Sequence, residues 1–407
     1  MKERITALVF DNDRSHDYRL YTKNIVEKTE HEIDTIVRRT TKTLYYDLDE
    51  NRSVDCIITV GENDFSILND ASFEIRKKWV HFDEYDKNAI IGAIINTFTF
   101  NINRDNGDDK IFSIFTCTFN TEENVLQRLY ASLLNQTYKN WNWWILDDST
   151  NDDVLQYIRK FKDPRITVFK NVSHHGIIGF NKHMAAMSCD GDYLVEVDHD
   201  DEITPDCLEL IKGAFEKFPD TDFVYSHAFE EIDGEPVYYG NEFALGQGYY
   251  KNKIINGVEK TIAMTPDVNC LTLRHIVGLP NHVRCWKKEF YHKIGGHNIE
   301  MSVLDDMDIL IRTFLYGKMC KVNDVLYIQH EGSSADNNGR GSTTQGKRFE
   351  EILRIGVLLR WKYDRDIHER IVELGYADEI WDEKNGYSIP QITNRHFPIF
   401  NYIYEPK

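Results

Sequence analysis

Tyr193-Leu194-Val195-Glu196-Val197-Asp198-His199-Asp200-Asp201 changes character halfway along its length. The first half is apolar and β-branched, the composition of a short strand. The second half crowds three carboxylates around a histidine. Downstream, Thr204 as N-cap, Pro205 at the opening and Asp206 in the first turn predict a helix. Carboxylates packed at a strand end repel one another and require compensation. A hard divalent cation, held by one or two carboxylates together with substrate phosphates, supplies it. A solvated acidic turn that caps the next helix fits the run equally well. The flanking sequence has to discriminate.

Upstream, residues 112–118 read as a strand ending at Phe119-Asn120-Thr121, and Leu126, Leu129, Leu133 and Leu134 recur at helical spacing. Residues 141–146 are the next strand, closed by Asp147-Asp148-Ser149-Thr150. A helix through Tyr157 and Ile158 follows, then a strand over 166–169, a His- and Gly-containing loop over 171–179 and a helix over 180–187. Strands alternating with helices through short connections predict an α/β fold with a largely parallel sheet. Ligands of such sheets collect at the carboxyl ends of the strands. Asn120, Asp147, Asp148, Asp198, Asp200 and Asp201 all fall at those ends, which favours the metal and nucleotide reading over the solvated turn.

A chain of 407 residues calls for two or three domains. Residues 1–103 read as a small α/β domain around apolar runs at 5–10, 56–61 and 79–82, closed by a helix over 89–98. No Gly-rich phosphate loop follows its strands. The polar, turn-rich stretch 104–110 marks the boundary. A larger domain over 111–335 follows, with halves of 111–228 and 229–335, before a flexible segment and helices in 336–407. The net charge of −19 makes nucleic acid or an anionic membrane a poor partner. A nucleotide-sugar is also anionic and needs a cation to enter that field. Seven scattered cysteines without a CxxC pair argue against a zinc cluster or a disulfide framework. With no signal peptide or membrane-spanning run, a cytoplasmic protein with free thiols is expected.

Several blocks in order resemble the inverting family 2 glycosyltransferases with the GT-A fold. They are Thr118-Phe119-Asn120-Thr121, Ser132-Leu133-Leu134-Asn135-Gln136-Thr137-Tyr138-Lys139-Asn140-Trp141 and Leu146-Asp147-Asp148-Ser149-Thr150-Asn151-Asp152. Asp163-Pro164-Arg165-Ile166, Gly191-Asp192-Tyr193 and Asp198-His199-Asp200-Asp201 with Pro205 continue the series. Together they are far more specific than a lone DxD. The resemblance implies a GT-A sheet flanked by helices. It implies that Thr118, Asn120, Asp147 and Asp148 line a nucleobase and ribose pocket. Asp200 would ligate Mg²⁺ or Mn²⁺, with Asp198 on the ribose or the metal, and the cation would neutralise the departing diphosphate. The family's diphosphate arginine is replaced here by Phe180, in Gly179-Phe180-Asn181-Lys182. Asn181 and Lys182, or His174 and His175 in the preceding loop, become the candidates for that contact.

In the second half, residues 230–269 read as a long irregular segment with many glycines and with tyrosines, Tyr238, Tyr239, Tyr249 and Tyr250, that could stack on sugar faces, although a packed or partly ordered loop is the default. Leu304-Asp305-Asp306-Met307-Asp308-Ile309-Leu310-Ile311-Arg312 looks like the family's acidic motif at a helix start. N-capping explains one carboxylate there, but not three. By the resemblance Asp306 is the general base that takes the acceptor hydroxyl's proton. Asp305 and Asp308 would orient it and shape the acceptor pocket. His330 would be a further metal or diphosphate ligand. Residues 336–346 suggest a flexible lid, and apolar periodicity predicts two helices, over 349–361 and 367–374. The combined expectation is a metal-dependent inverting transferase moving a sugar from a UDP-sugar to a hydroxyl acceptor, a glycan or another, with nucleic acid disfavoured by the chain's charge. The competing readings are a non-catalytic nucleotide- or glycan-binding protein on a degenerate scaffold, motivated by Phe180, and a nucleotidyltransferase, disfavoured by the missing Gly-rich loop.

Overall fold

The computed structural model describes residues 3–16, 31–38, 54–61, 75, 78–82, 84–87, 90–91, 93–94, 110–161, 163, 165–241, 243–255, 257–269, 272–273, 276–330, 342–374 and 402–406. The chain divides into two compact units, Met1–Ile111 with Gln156–Thr167, and Phe112–Leu155 with Val168–Lys407.

In the first unit, β1 (Glu3–Asp11), β2 (His31–Arg38), β3 (Cys56–Val60) and β4 (Trp79–Phe82) form an all-parallel sheet in the order β2-β1-β3-β4. Alternate residues of β1 feed two cores. Ile5, Ala7 and Val9 pack with Ile58, Ile90, Ile91 and Ile94 on one face. Leu8 and Phe10 pack with Ile57 and Trp79 on the other. Burial on both faces is what makes these strands continuous apolar runs. Sequence reading missed β2, an edge strand whose charged residues hide its apolar set. Positions 104–109, the expected boundary, lie outside the described residues.

The chain continues through β5 (Phe112–Thr118), α1 (Glu123–Leu134), β6 (Trp141–Asp147), α2 (Asp153–Arg159), β7 (Ile166–Lys170), α3 (Ile178–Ser188) and β8 (Tyr193–Glu196). Next come β9 (Glu202–Ile203), α4 (Cys207–Lys217), β10 (Phe223–Ile232), β11 (Glu235–Pro236), β12 (Tyr249–Ile255), β13 (Val258–Met264) and β14 (Arg284–Lys287). The last elements are α5 (Lys288–Lys293), α6 (Asp305–Tyr316), β15 (Met319–His330), α7 (Ser342–Glu373) and β16 (Tyr402–Tyr404).

The sheet of the second unit runs β16-β15-β10-β14-β8-β5-β6. β5 lies parallel to β6 and β8, and β10 parallel to β15. β14, antiparallel to both β8 and β10, is the one reversed strand among the described strands of this order, and the sheet is otherwise parallel, as expected. That reversed strand matters for the site. Its register sets Arg284 opposite Glu196, at the carboxyl end of β8.

Two corrections concern the second half. Residues read as an irregular segment include an antiparallel hairpin, β12 with β13, whose turn holds Gly257 at φ +79. The two helices expected near the end are one, α7, of 32 residues. α7 packs on α6 through Tyr363, whose hydroxyl donates to Asp308 at 2.6 Å. Positions 336–341 of the expected lid lie outside the described residues.

Candidate functional site

The first group of predicted residues gathers where β5 and β6 end. Asp147 is fully buried, and its Oδ1 accepts from Thr118 Oγ1 at 3.0 Å and from the Ser149 amide at 3.1 Å. Asn120 sits in the left-handed region at φ 48, a conformation asparagine tolerates. Its amide donates to Ser149 Oγ at 2.7 Å, tying the two strand ends together. Asp148 anchors the His- and Gly-containing loop. It accepts from Asn171 Nδ2 at 2.7 Å, Asn181 Nδ2 at 3.0 Å, the Gly176 amide at 2.9 Å and the His175 amide at 3.0 Å. Burial works against the charged form of Asp148, but these donors outweigh it and hold its carboxyl below the ordinary carboxylate range. Both carboxylates therefore organise the loops around the strand ends. Phe180, in the place of the usual arginine, packs against His175 at 4.9 Å between ring centroids. His174 lies over Phe119 at 4.6 Å.

The second group is a buried charge cluster at the end of β8. Lys182 from α3 bonds Glu196 and lies 3.4 Å from Asp198. Arg284 stands 3.8 Å from Glu196 and 3.3 Å from Asp306, the second residue of α6. His297 lies 3.8 Å from both Glu196 and Asp305, and His282 lies 3.8 Å from both Glu196 and Asp198. Burial opposes charge on Glu196, yet Lys182, His282, Arg284 and His297 together hold its carboxyl well below the usual range. Burial likewise opposes charge on Lys182, and Asp198, Glu196 and Asp305 overcome it, so the ammonium persists. Asp305 is pushed up to about 7, by burial first, with Lys182 resisting and Asp306 and Glu196 adding to the rise. Burial takes His297 down to about 3, against the pull of Glu196.

Sequence reading missed Glu196, His282 and His297 as members of this cluster. Glu196 carried a signal, because a carboxylate inside a strand buried on both faces must be paired. Asp198 and Asp306, separated by more than a hundred residues, line one cavity of about 540 Å³. Its polar side also includes Glu230, Asn281, His282, Arg284 and Gln329.

Other predicted residues lie elsewhere. Asp308 is buried and faces α7, accepting from Arg312 Nε at 2.9 Å as well as from Tyr363. At about 100° per helical residue, two positions separate it from Asp306 by roughly 200°, so the two carboxylates cannot share one face. Asp308 thus shapes the α6–α7 contact rather than the cavity. Asp200 is only 2% exposed and is absent from the cavity's lining; its backbone carbonyl accepts from Arg128. His330, expected as a metal ligand, has both ring nitrogens engaged by carboxylates, Nδ1 by Glu231 and Nε2 by Glu202 at 2.8 Å. Its amide donates to Asp201 at 3.0 Å, and Tyr327 donates to the same carboxylate at 2.7 Å.

Among the described residues, Glu196, Asp198 and His282 bring ligand atoms within 4.8 Å of one another. Two oxygens and an imidazole nitrogen suit a divalent cation such as Mn²⁺. Among the described residues, neither buried ring nitrogen of His282 makes a hydrogen bond within 3.5 Å, and Nε2 lies 3.8 Å from both carboxylates. Asp198 is the more open of the two carboxylates, with its side chain 16% exposed against 1% for Glu196.

A family model described as Glycosyl transferase family 2 matches residues 113–277. The Escherichia coli protein UDP-Glc:alpha-D-GlcNAc-diphosphoundecaprenol beta-1,3-glucosyltransferase WfaP is 35% identical over 279 residues, which span 66% of this chain and 92% of that one. The Escherichia coli chondroitin synthase is 26% identical over 219 residues, 53% of this chain and 28% of that one. The solved structure of S. aureus TarS in complex with UDP-GlcNAc aligns with a TM-score of 0.46 at 16% identity, covering 67% of this chain and 77% of that chain.

Proposed function

Because the chain belongs to glycosyltransferase family 2 and is a glycosyltransferase of GT-A fold, we propose that it is a metal-dependent inverting enzyme that transfers a sugar from a UDP-sugar to a hydroxyl acceptor. One observation carries the reading. Asp306, at the start of α6, and Asp198, at the end of β8, line the same cavity. The relative WfaP is named for a UDP-Glc donor, which supports the choice of nucleotide.

Asp306 is the general base. Its carboxylate takes the proton from the acceptor hydroxyl as that oxygen attacks the anomeric carbon, and the sugar–phosphate bond breaks on the opposite face. Arg284, 3.3 Å away, orients Asp306 and is fixed in turn by the Pro280 carbonyl, which accepts from its Nε at 3.0 Å. Asp305 stands behind Asp306 in the buried cluster. Lys182 supplies positive charge beside Asp198, in the region the family's arginine would serve.

Asp198, with His282 beside it and Glu196 beneath, would hold a divalent cation. When bound, that cation supplies charge neutralisation for the leaving diphosphate. Asp200, the ligand that the family resemblance implies, is buried and does not line the cavity, so Asp198 takes that place in this proposal. Among the described residues, no helix is long and apolar enough to cross a membrane.

Metal removal tests this reading. EDTA should stop sugar transfer, and Mn²⁺ or Mg²⁺ should restore it. Asp198→Asn should weaken Mn²⁺ binding by calorimetry more than Asp200→Asn does. Full turnover in EDTA would contradict the proposal, and a larger loss in Asp200→Asn would move the ion to Asp200.

A further inference from the structure

Besides the polar residues already described, the cavity that holds Asp306 is lined by residues of β13 and of the segments flanking the β12–β13 hairpin, Tyr239 and Phe243 among them. These rings belong to a connected aromatic group. Tyr239 stacks on Phe243 at 5.8 Å, Phe243 contacts Tyr250 at 5.1 Å, and Tyr250 stacks on Tyr238 at 5.2 Å.

A side chain recruited only for a core would be covered. Tyr239 is 49% exposed. The seat of Phe243 is specific as well. A Cβ on Gly248 would stand 2.3 Å from the Phe243 ring, so glycine lets the ring lie directly on the backbone. At the platform's edge the polar groups are fixed. Asn281 Nδ2 donates to Glu230 Oε1 at 2.7 Å and to Gln329 Oε1 at 3.1 Å, and the Tyr239 hydroxyl also donates to Glu230.

An aromatic face bounded by anchored amide and carboxylate groups complements a molecule with an apolar C–H face and a rim of hydroxyls. A pyranose ring has that form. A volume of about 540 Å³ lies within the span of roughly 300–1,000 Å³ typical of small-ligand sites. The geometry points to Tyr239, backed by Phe243, as the stacking platform of the acceptor subsite, with a pyranose of a glycan acceptor held against the exposed tyrosine ring and a hydroxyl turned toward Asp306. The inference rests on the reading of this cavity as the transfer site, and it adds the residues that hold the acceptor.

The test is binding of the whole chain to an array of immobilised hexose- and N-acetylhexosamine-terminated oligosaccharides, with UDP and Mn²⁺ affinity measured in parallel. The wild type should bind one or more glycans. The Tyr239→Ala and Phe243→Ala variants should each weaken that binding by about ten-fold, as loss of a stacked ring implies. Tyr239→Phe, which keeps the ring, should retain it. UDP affinity should stay unchanged throughout, which shows that the variants are folded. Wild-type protein that binds no glycan, or alanine variants that bind as well as wild type, would overturn the platform. Loss of UDP affinity in the alanine variants would also overturn it, since the rings would then be supporting the fold or the donor. Wild-type protein that binds glycan but not UDP would support the platform and sink the UDP reading.

Discussion

Asp305 is the residue at which the site's electrostatics become measurable. Its carboxyl ionises near the ordinary 3.8 in the unfolded chain and near 7 in the fold. Between those values the unfolded state has released a proton that the folded state keeps. Stability therefore falls as pH rises from about 4 to about 7, and stays lower above that. His297, held down to about 3, gives the opposite slope between that value and its ordinary 6.5, but it does so in wild type and variant alike. Asp305→Asn cannot ionise and lacks the Asp305 term. Its stability relative to wild type, from urea unfolding at successive pH values, should rise between pH 4 and pH 8. A difference that is flat with pH would mean that Asp305 is not held protonated by its surroundings. At this scale, legibility followed chemistry that announces itself. A run of aspartates on a strand end was readable from the sequence. Glu196 carried the signal of a carboxylate inside an apolar strand, whereas His282 and His297 carried none, each being a single ionisable residue in an ordinary-looking segment. The reversed strand β14 and the loop before it bring Arg284 and His282 to Glu196, and the loop between α5 and α6 brings His297.

The elements that position the site depend on close approaches. α3, which carries Asn181 and Lys182, begins against the loop preceding α6, where the Gly179 amide donates to the Met301 carbonyl at 2.9 Å. A Cβ on Gly179 would lie 2.1 Å from the Asn298 carbonyl oxygen. Gly179→Ala should cost about 1–3 kcal/mol of stability, the usual range for forced overpacking. An unchanged midpoint in urea unfolding would show that the loop yields freely. Alternation of strands and helices from β5 to β8 was legible because strands such as β5 are near-continuous apolar runs and α1 carries an apolar stripe of Val125, Leu126, Leu129 and Leu133. The β12–β13 hairpin was not, since Tyr249–Ile255 is largely exposed and reads as a polar, lysine-rich loop. Two aspartates also misled by proximity. Asp306 and Asp308 are neighbours in sequence, yet the helix turns one to the cavity and the other to α7. The nitrogens of His330 are committed to Glu202 and Glu231, glutamates about a hundred residues or more away, which local sequence could not reveal.

For the molecule as a whole, a charge of −19 repels the anionic donor that the proposed function requires. Lys182 and Arg284 are the local answer, buried cations that meet Glu196, Asp198 and Asp306 at one strand end. A cation on Asp198 would extend that compensation to the diphosphate. The proposed function separates two tasks across one cavity, with the leaving group served near β8 and the nucleophile deprotonated at α6. That separation is tested most directly by comparing Asp306→Asn with wild type for sugar transfer and for UDP affinity in the presence of Mn²⁺. Loss of a general base should lower transfer by about 10²–10⁴-fold while leaving UDP affinity essentially unchanged. Transfer that survives at the wild-type rate, or UDP affinity that falls together with transfer, would contradict it.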